Sequence, residues 1–469
     1  MELLGSVAGL VSALHYEFLL FALAGLLIGG IDDFAFDVIF LARALWRRLF
    51  VYSRHERMTG ASLPPSRKPG TTAVFIPAWH EAEVIGAMLR ICLARWAGAD
   101  FRIFVGTYPN DPATILAVAK VAEQDTRVQL VILPHEGGTT KADCLNHVWA
   151  AMLRAEVAEG RRFKAIVLHD AEDVVHADEI RLFDVMIDRF DMVQLPVLPL
   201  IAPHSRWIAG HYADEFAEAH GKHLIMREAM GAAVPSAGVG CAFARDMIGA
   251  IAEERAGAPF DAASLTEDYE IGLRIAERKG RTVFVSMRDA TGALICTQEH
   301  FPDTLEAAIK QKARWLTGIS LAGWDRLGWS GTWRERWMRM HDRRTSLSAL
   351  VLFAAYCATI GYGIALILEY LGLAFAPRHD AWVDAALAVT AFLMAWRLAF
   401  RAYWTAQAYG WREGVRSVPR VIVCNIVAMI AARRALANYI RQLRTGSVVW
   451  EKTAHRFPAE MDLHGHTAR

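Results

Sequence analysis

A chain of 469 residues with 54% hydrophobic residues and a mean hydropathy of +0.21 is too apolar for an ordinary soluble enzyme, yet charged residues still make up 22%. The mixture predicts a water-soluble part joined to a few membrane segments, with room for about two to three domains. A net charge of +1 gives no global attraction for nucleic acid, so no nucleic-acid partner is expected.

The first element is an apolar stretch from Leu3 to Ile31, broken by His15 and Glu17 and long enough to cross a hydrocarbon core of about 30 Å. Met1 is followed by Glu2 rather than a basic region, and no small-residue site closes the stretch, so a cleavable signal is not expected. Arg43, Arg47, Arg48, Arg54 and Arg57 come after the span and no Lys or Arg precedes it, which places the region C-terminal to the span in the cytoplasm. Residues 1–42 read as the anchor and 43–70 as a basic linker marked by Pro64, Pro65 and Pro69.

Next, β-branched runs alternate with amphipathic stretches. Strands are expected at Thr72–Pro77, Phe101–Gly106, Val128–Leu133 and Ala165–His169, with helices at Ala82–Trp96, Pro112–Gln124 and Ala142–Ala158. This alternation predicts an α/β domain over 71–330 with a mostly parallel, Rossmann-like sheet and nucleotide bound beyond the strand C-termini. Pro77 and Glu81 lie where the first strand turns into a helix, a place that offers backbone N–H groups and a carboxylate to a nucleotide. Asp111, after the second strand, suits either a base or ribose contact or a helix N-cap. Gly137-Gly138-Thr139-Thr140-Lys141 suits a phosphate-bearing ligand, although the P-loop spacing is absent.

The fourth strand runs into His169-Asp170-Ala171-Glu172-Asp173-Val174-Val175-His176. Three carboxylates so close repel one another. A divalent cation relieves that repulsion, and oxygen ligands suit Mg²⁺ or Mn²⁺ bridged to a diphosphate; a solvated acidic turn is the alternative. His169 and His176 read as structural. In Thr266-Glu267-Asp268, Thr266 resembles an N-cap, and one of the paired acids can serve as a general base. Gln311, Arg314 and Trp315 share one face of a helical stretch from Thr304 to Leu321, suited to a pyrophosphate and a stacked sugar.

Leu347–Leu368 carries no charge and reads as a second span. Ala381–Trp404 reads as a third, with Arg397 and Arg401 able to snorkel to an interface. Val421–Ala432 is about half a membrane long and precedes Arg433, Arg434, Arg441 and Arg444, so an interfacial helix is expected there. Three spans then keep every basic cluster cytoplasmic, with a short periplasmic loop at Ala374–Asp380. The remaining boundaries are 331–410 for the two later spans and 411–469 for amphipathic helices and a basic tail. Cys92, Cys144, Cys241, Cys296, Cys357 and Cys424 form no CxxC pair and read as reduced, mostly buried thiols.

Taken together, the DxD-like Asp170–Asp173, the TED at 266–268 and the QxxRW at 311–315 resemble the processive family-two glycosyltransferases, which include cellulose and hyaluronan synthases. The wording HDAEDVVH, SAGVGCAFARD, LTEDYEIGLRI, QKARWLTGI and WEKTAHRFP resembles more closely the NfrB-type adsorption protein B group, inner-membrane glycosyltransferases tied to exopolysaccharide export and phage adsorption. The resemblance implies a GT-A fold flanked by transmembrane helices and an inverting, metal-dependent transfer at the bacterial inner membrane, with the catalytic domain cytoplasmic. It assigns Asp111 and Lys141, with Pro77, Glu81 and Asp170, to the nucleotide. Asp170 with Glu172 or Asp173 would hold Mg²⁺ or Mn²⁺, and Asp268 beside Glu267 would be the general base. Gln311, Arg314 and Trp315 would bind diphosphate and acceptor.

The implied donor is a nucleotide-diphosphate sugar, with a uridine-linked sugar favoured by kinship. The implied acceptor is a growing exopolysaccharide. Three spans are few for a polysaccharide channel, which leaves room for a homo-oligomer, an outer-membrane export partner, or transfer of one sugar to a polyprenyl-phosphate lipid. A non-catalytic scaffold for an outer-membrane partner is the alternative of another class. Members of the group often carry a C-terminal cyclic-di-GMP-binding domain, which is not expected in the eleven residues after Pro458.

Overall fold

The structure, a computed structural model, describes residues 2–373 and 377–446. The expected basic tail beyond 446, with its WEKTAHRFP run, lies outside the described residues, as does part of the expected Ala374–Asp380 loop.

The chain opens with helix α1 (Glu2–Trp46) and then enters an α/β domain. Its strands are β1 (Thr72–Pro77), β2 (Phe101–Thr107), β3 (Val128–Ile132), β4 (Ala165–Leu168), β5 (Met192–Gln194), β6 (Val197–Leu200), β7 (Cys241–Ala244), β8 (Thr282–Phe284) and β9 (Thr297–His300). The helices between and after them are α2 (Ile85–Arg95), α3 (Pro112–Ala122), α4 (Lys141–Glu159), α5 (Glu179–Ile187), α6 (Ile208–Glu218), α7 (Leu224–Ala229), α8 (Arg245–Glu254), α9 (Glu267–Glu277) and α10 (Leu305–Trp315). Then come α11 (Ala322–Leu327), α12 (Trp333–Arg343), α13 (Thr345–Tyr370), α14 (Ala381–Tyr409) and α15 (Trp411–Thr445).

Seven strands form one sheet in the order β3-β2-β1-β4-β7-β5-β8, parallel except for β7, which runs antiparallel to both its neighbours. Successive side chains of a strand point to opposite faces, and β1 shows the consequence. Val74 and Ile76 pack into a core with Ile85, Met88 and Val118, while Ala73 and Phe75 pack on the other face with Leu145, Val148 and Phe243. Helices on both faces let every central position be apolar. The order reverses at β1, which pairs with β2 on one side and β4 on the other. That reversal opens a crevice beyond the strand C-termini. The four early strands stand where the sequence predicts them, to within a residue at their C-terminal ends. The β6–β9 pair was not anticipated, because its partners are a hundred residues apart and each is too short to announce itself.

Among the described residues four helices are long and apolar enough to cross a membrane: α1, α13, α14 and α15. Gly25 of α1 lies against Val351 of α13, and Gly30 against Leu393 of α14, so missing Cβ atoms let these helices close on one another.

Two expectations need correction. The expected short helix at Val421–Ala432 is the middle of a 35-residue helix. Its Gly414, Ser417, Arg420, Cys424, Val427, Ala431 and Ala435 are buried, while Trp411, Val415, Val418, Ile422 and Ile426 are exposed. A search for an unbroken apolar run sees only the centre of such a two-faced helix. Nor do Arg397 and Arg401 snorkel. Arg397 pairs with Glu218 at 2.6 Å and Arg401 approaches Asp214 at 3.5 Å, both carboxylates on α6 of the α/β domain. Five of the six cysteines are buried and Cys357 is half-buried, all as free thiols.

Candidate active site

The turn after β4 is built on a buried histidine. His169 Nδ1 lies 2.6 Å from Asp173 Oδ2 and its Nε2 lies 2.8 Å from Glu179 Oε1. Burial alone would push the imidazole pKa down, but these two carboxylates outweigh it and raise it to about 10. Asp173 Oδ2 also accepts the Asp170 N–H at 3.1 Å. The clamp fixes the backbone so that Asp170 and Glu172 face a cavity, whereas Asp173 has no exposed surface and is absent from the cavity wall. Asp173, named in the expected metal set, thus stands off the cavity wall: its Oδ2 is held by His169, and its Oδ1 is buried without a hydrogen-bond partner among the described residues.

Lys141 begins α4, whose N-terminus is capped by Thr140 through the Asp143 N–H. Its Nζ reaches 2.6 Å from Asp170 Oδ1. Burial opposes the charge on this lysine. The surrounding Asp170, Glu267 and Asp268 nevertheless hold its pKa above the ordinary value.

Glu267 and Asp268 open α9. Thr266 occupies the N-cap position without donating or accepting a side-chain cap bond, so the expected capping role fails. Its side chain instead packs against Gly318, where a Cβ would fall 2.5 Å from Thr266 Oγ1. Asp268 accepts the Tyr269 N–H at 2.7 Å. Burial raises the pKa of both acids, and each is disfavoured further by a neighbouring carboxylate, Asp268 for Glu267 and Asp170 for Asp268. Gly238, at φ +80°, makes room for this carboxylate: a Cβ there would stand 2.4 Å from Asp268 Oδ2.

The third wall is α10. Gln311, Arg314 and Trp315 all line the cavity, and Gln311 Oε1 is buried with no hydrogen-bond partner among the described residues. Trp315 sits in an aromatic box, edge-on to Tyr212 and Phe301 with each ring centroid 6.1 Å away. Lys312 points the other way, its Nζ 2.6 Å from both oxygens of Glu215 on α6. That contact fixes which face of α10 the cavity receives.

Pro77, Glu81, Lys141, Asp170, Glu172, Glu267, Asp268, Gln311, Arg314 and Trp315 thus share one cavity. Asp111 does not join them. It is buried, accepting the His80 N–H at 2.5 Å and, as N-cap of α3, the Thr114 N–H at 3.3 Å. Its role is to hold His80, a non-glycine residue at φ +56°, and so to shape the loop that carries Glu81. Sequence reasoning missed Trp79, Tyr108 and the Glu299-His300-Phe301-Pro302 run, which also line the cavity. Tyr108 lies three residues before Asp111 in the turn after the second strand; the 299–302 run carries no local signal and arrives through the β6–β9 pairing.

The oxygen-only pair Asp170 and Glu172, both on the cavity wall, suits a hard divalent cation. The cavity can therefore take an anionic, phosphate-bearing ligand against Lys141 and Arg314, with Glu267 and Asp268 lining the same cavity.

A family model described as "Glycosyltransferase like family 2" matches residues 69–318, more than half of the chain. The chain belongs to glycosyltransferase family 2. The glycosyltransferase is 36% identical over 456 residues to "Bacteriophage adsorption protein B" of Escherichia coli strain K12, covering 92% of this chain and 61% of that one. The same figures hold for "Bacteriophage N4 adsorption protein B" of Escherichia coli O157:H7. The chain thus spans about three-fifths of the length of these curated relatives. Among solved structures, a mannosyltransferase from Pyrobaculum calidifontis in complex with GDP-mannose and Mn²⁺ aligns at 15% identity with a TM-score of 0.49, covering 92% of this chain and 99% of that one. The glycosyltransferase has the GT-A-type α/β architecture with its mostly parallel sheet.

Proposed function

We propose that this glycosyltransferase moves a sugar, with inversion, from a nucleotide diphosphate to a hydroxyl of a growing surface exopolysaccharide at the cytoplasmic face of the bacterial inner membrane. The observation that carries the reading is one cavity lined together by the Asp268 carboxylate, the Lys141–Asp170 pair, Arg314 and Trp315.

The chemistry divides among these residues. Lys141 and Arg314 receive the diphosphate by charge. A Mg²⁺ or Mn²⁺ ion held by Asp170 and Glu172 would neutralise the leaving diphosphate. Trp315, backed by Tyr212 and Phe301, offers the acceptor sugar an aromatic face. Asp268 takes the proton of the acceptor hydroxyl; the acceptor oxygen bonds to the anomeric carbon as the bond from that carbon to the phosphate oxygen breaks. Attack opposite the leaving group gives inversion. Burial raises the Asp268 pKa toward the pH at which a carboxylate works as a base.

The membrane arrangement supports the cytoplasmic placement. Arg43, Arg47 and Arg48 end α1 on the side of the α/β domain. α15 packs Gly414 against Ala402 and Ala406 of α14, holds Arg420 against Asp214 of α6, and buries Ala431 and Ala435 beside Ala313 of α10. These contacts tie α15 both to the membrane helix α14 and to the catalytic domain, and three spans would keep every basic cluster on the cytoplasmic side. Relatives named for bacteriophage adsorption support a product at the cell surface.

A second reading, transfer of one sugar to a polyprenyl phosphate, is favoured by so small a number of spans. Incubating the purified protein with labelled nucleotide sugars separates the two: polymer is expected, a lipid-linked monosaccharide would support the second. No transfer from any donor would leave only a non-catalytic scaffold for a partner.

A further inference from the structure

We propose that the glycosyltransferase carries a second metal site, outside the catalytic cavity, made by His135, Asp143 and His147 and suited to Zn²⁺ or a similar borderline ion. Asp143 and His147 lie four residues apart on α4 and share one face. His135 stands on the loop that leads into that helix. The ligand atoms of the three side chains lie within 4.8 Å of one another. His135 Nε2 is 3.3 Å from Asp143 Oδ2, and His147 Nδ1 is 3.8 Å from Asp143 Oδ1. Donors bound at about 2.0–2.1 Å around a tetrahedral ion stand roughly 3.3 Å apart; His147 Nδ1, now 3.0 Å from the Asp143 carbonyl oxygen, exchanges that contact for the ion as the set closes.

Two features mark the cluster as more than an exposed acidic turn. Asp143 Oδ2 is buried and makes no hydrogen bond among the described residues, although His135 Nε2 stands within reach of it. The two imidazoles meet edge to face at 5.1 Å, a packing that gathers their ring nitrogens around one carboxylate. Two imidazoles and one carboxylate favour a borderline transition ion over Mg²⁺. All three side chains are half-buried, so solvent reaches the edge of the cluster. The Asp32–Asp33–His341 cluster is geometrically similar but differs in kind, because Arg344 already neutralises both of its aspartates.

The site bridges two pieces that meet the catalytic cavity. The loop from 133 to 140 touches the cavity wall through the Tyr108–Thr139 hydroxyl contact at 2.8 Å and reaches the wall itself at Thr140. Asp143 and His147 follow Lys141 on the same helix. An ion joining His135 to α4 ties this loop to the helix that carries Lys141.

The test uses the full-length protein in detergent, titrated with Co²⁺ as a spectroscopic stand-in for Zn²⁺, in excess Mg²⁺ to occupy oxygen-only sites. One equivalent is expected, with weak visible bands and without the intense near-ultraviolet absorption of thiolate ligation. Zn²⁺ should displace it and raise the melting temperature. His135→Ala and His147→Ala should each weaken Co²⁺ binding by at least about tenfold; Glu172→Gln should not. His135 sits on an exposed loop, so His135→Gln provides a variant whose fold is retained. Equal Co²⁺ affinity in wild type and the histidine variants, or no binding at millimolar Co²⁺, overturns the proposal. No nucleotide takes part, so either failure leaves the transferase reading standing.

Discussion

Lys141 Nζ lies 2.6 Å from Asp170 Oδ1, joining the start of α4 to the turn after β4 at the point where the sheet order reverses. In the absence of ligand this pair neutralises two half-buried charges; with donor present, Lys141 is placed to turn to phosphate. Lys141→Met should raise the KM for nucleotide sugar at least tenfold, since a buried charge-assisted contact is worth roughly 1.5–3 kcal/mol. Initial rates against donor concentration would check this, and an unchanged KM would remove Lys141 from the donor site.

Asp268→Asn keeps the shape of the carboxylate and removes its basicity. Transfer should fall by about 10²–10⁴-fold while donor binding persists. Rates together with nucleotide binding by calorimetry would separate the two effects.

Gly238→Ala tests the approach of Asp268 from its neighbour. The added Cβ would lie 2.4 Å from Asp268 Oδ2, and φ +80° is itself unfavourable to alanine. A fall in kcat greater than the fall in thermal stability explains is expected. A variant with normal kcat would show that Asp268 tolerates displacement.

Glu172 and Asp173 are neighbours in the chain and sit in opposite environments. Glu172→Gln should shift the Mg²⁺ or Mn²⁺ concentration needed for half-maximal activity, and excess EDTA should abolish turnover in the wild type. Asp173→Asn removes an acceptor from buried His169 and should chiefly lower the melting temperature. If Asp173→Asn shifted the metal requirement while Glu172→Gln did not, the assignment would be reversed.

His220 predicts acid sensitivity. Its buried Nδ1 accepts the Val197 N–H at 2.8 Å, and burial lowers its pKa from the ordinary 6.5 to about 3. Above pH 6.5 the imidazole is neutral in folded and unfolded chains alike. As pH falls from 6.5 toward 3 the unfolded chain takes up a proton that the folded one excludes, so stability is lost over that window. Melting temperatures measured from about pH 7 down to about pH 4 should fall less steeply for His220→Gln.

The residues that line the cavity were largely legible in the chain, since motifs such as Thr266-Glu267-Asp268 and Gln311-Lys312-Ala313-Arg314-Trp315 are contiguous. Which members of those motifs face the cavity was not. Asp173 and Asp111 sit in flagged runs yet point inward: His169 holds Oδ2 of Asp173, and the His80 and Thr114 N–H groups hold both oxygens of Asp111. Such claims depend on groups brought close by the fold, and no spacing rule records them.

By itself the sequence determined the early strands, the apolar helices and the acids and bases available, because hydrophobic periodicity and local motif order are properties of adjacent residues. Tertiary structure alone decided the rest. It turned Arg397 and Arg401 from lipid-facing cations into partners of Glu218 and Asp214. It also brought Glu299–Pro302 to the cavity through a pairing a hundred residues long, and extended one short apolar run into a helix lying along the catalytic domain. In each case the deciding energy is a contact between distant residues, set by burial and charge once the chain has closed.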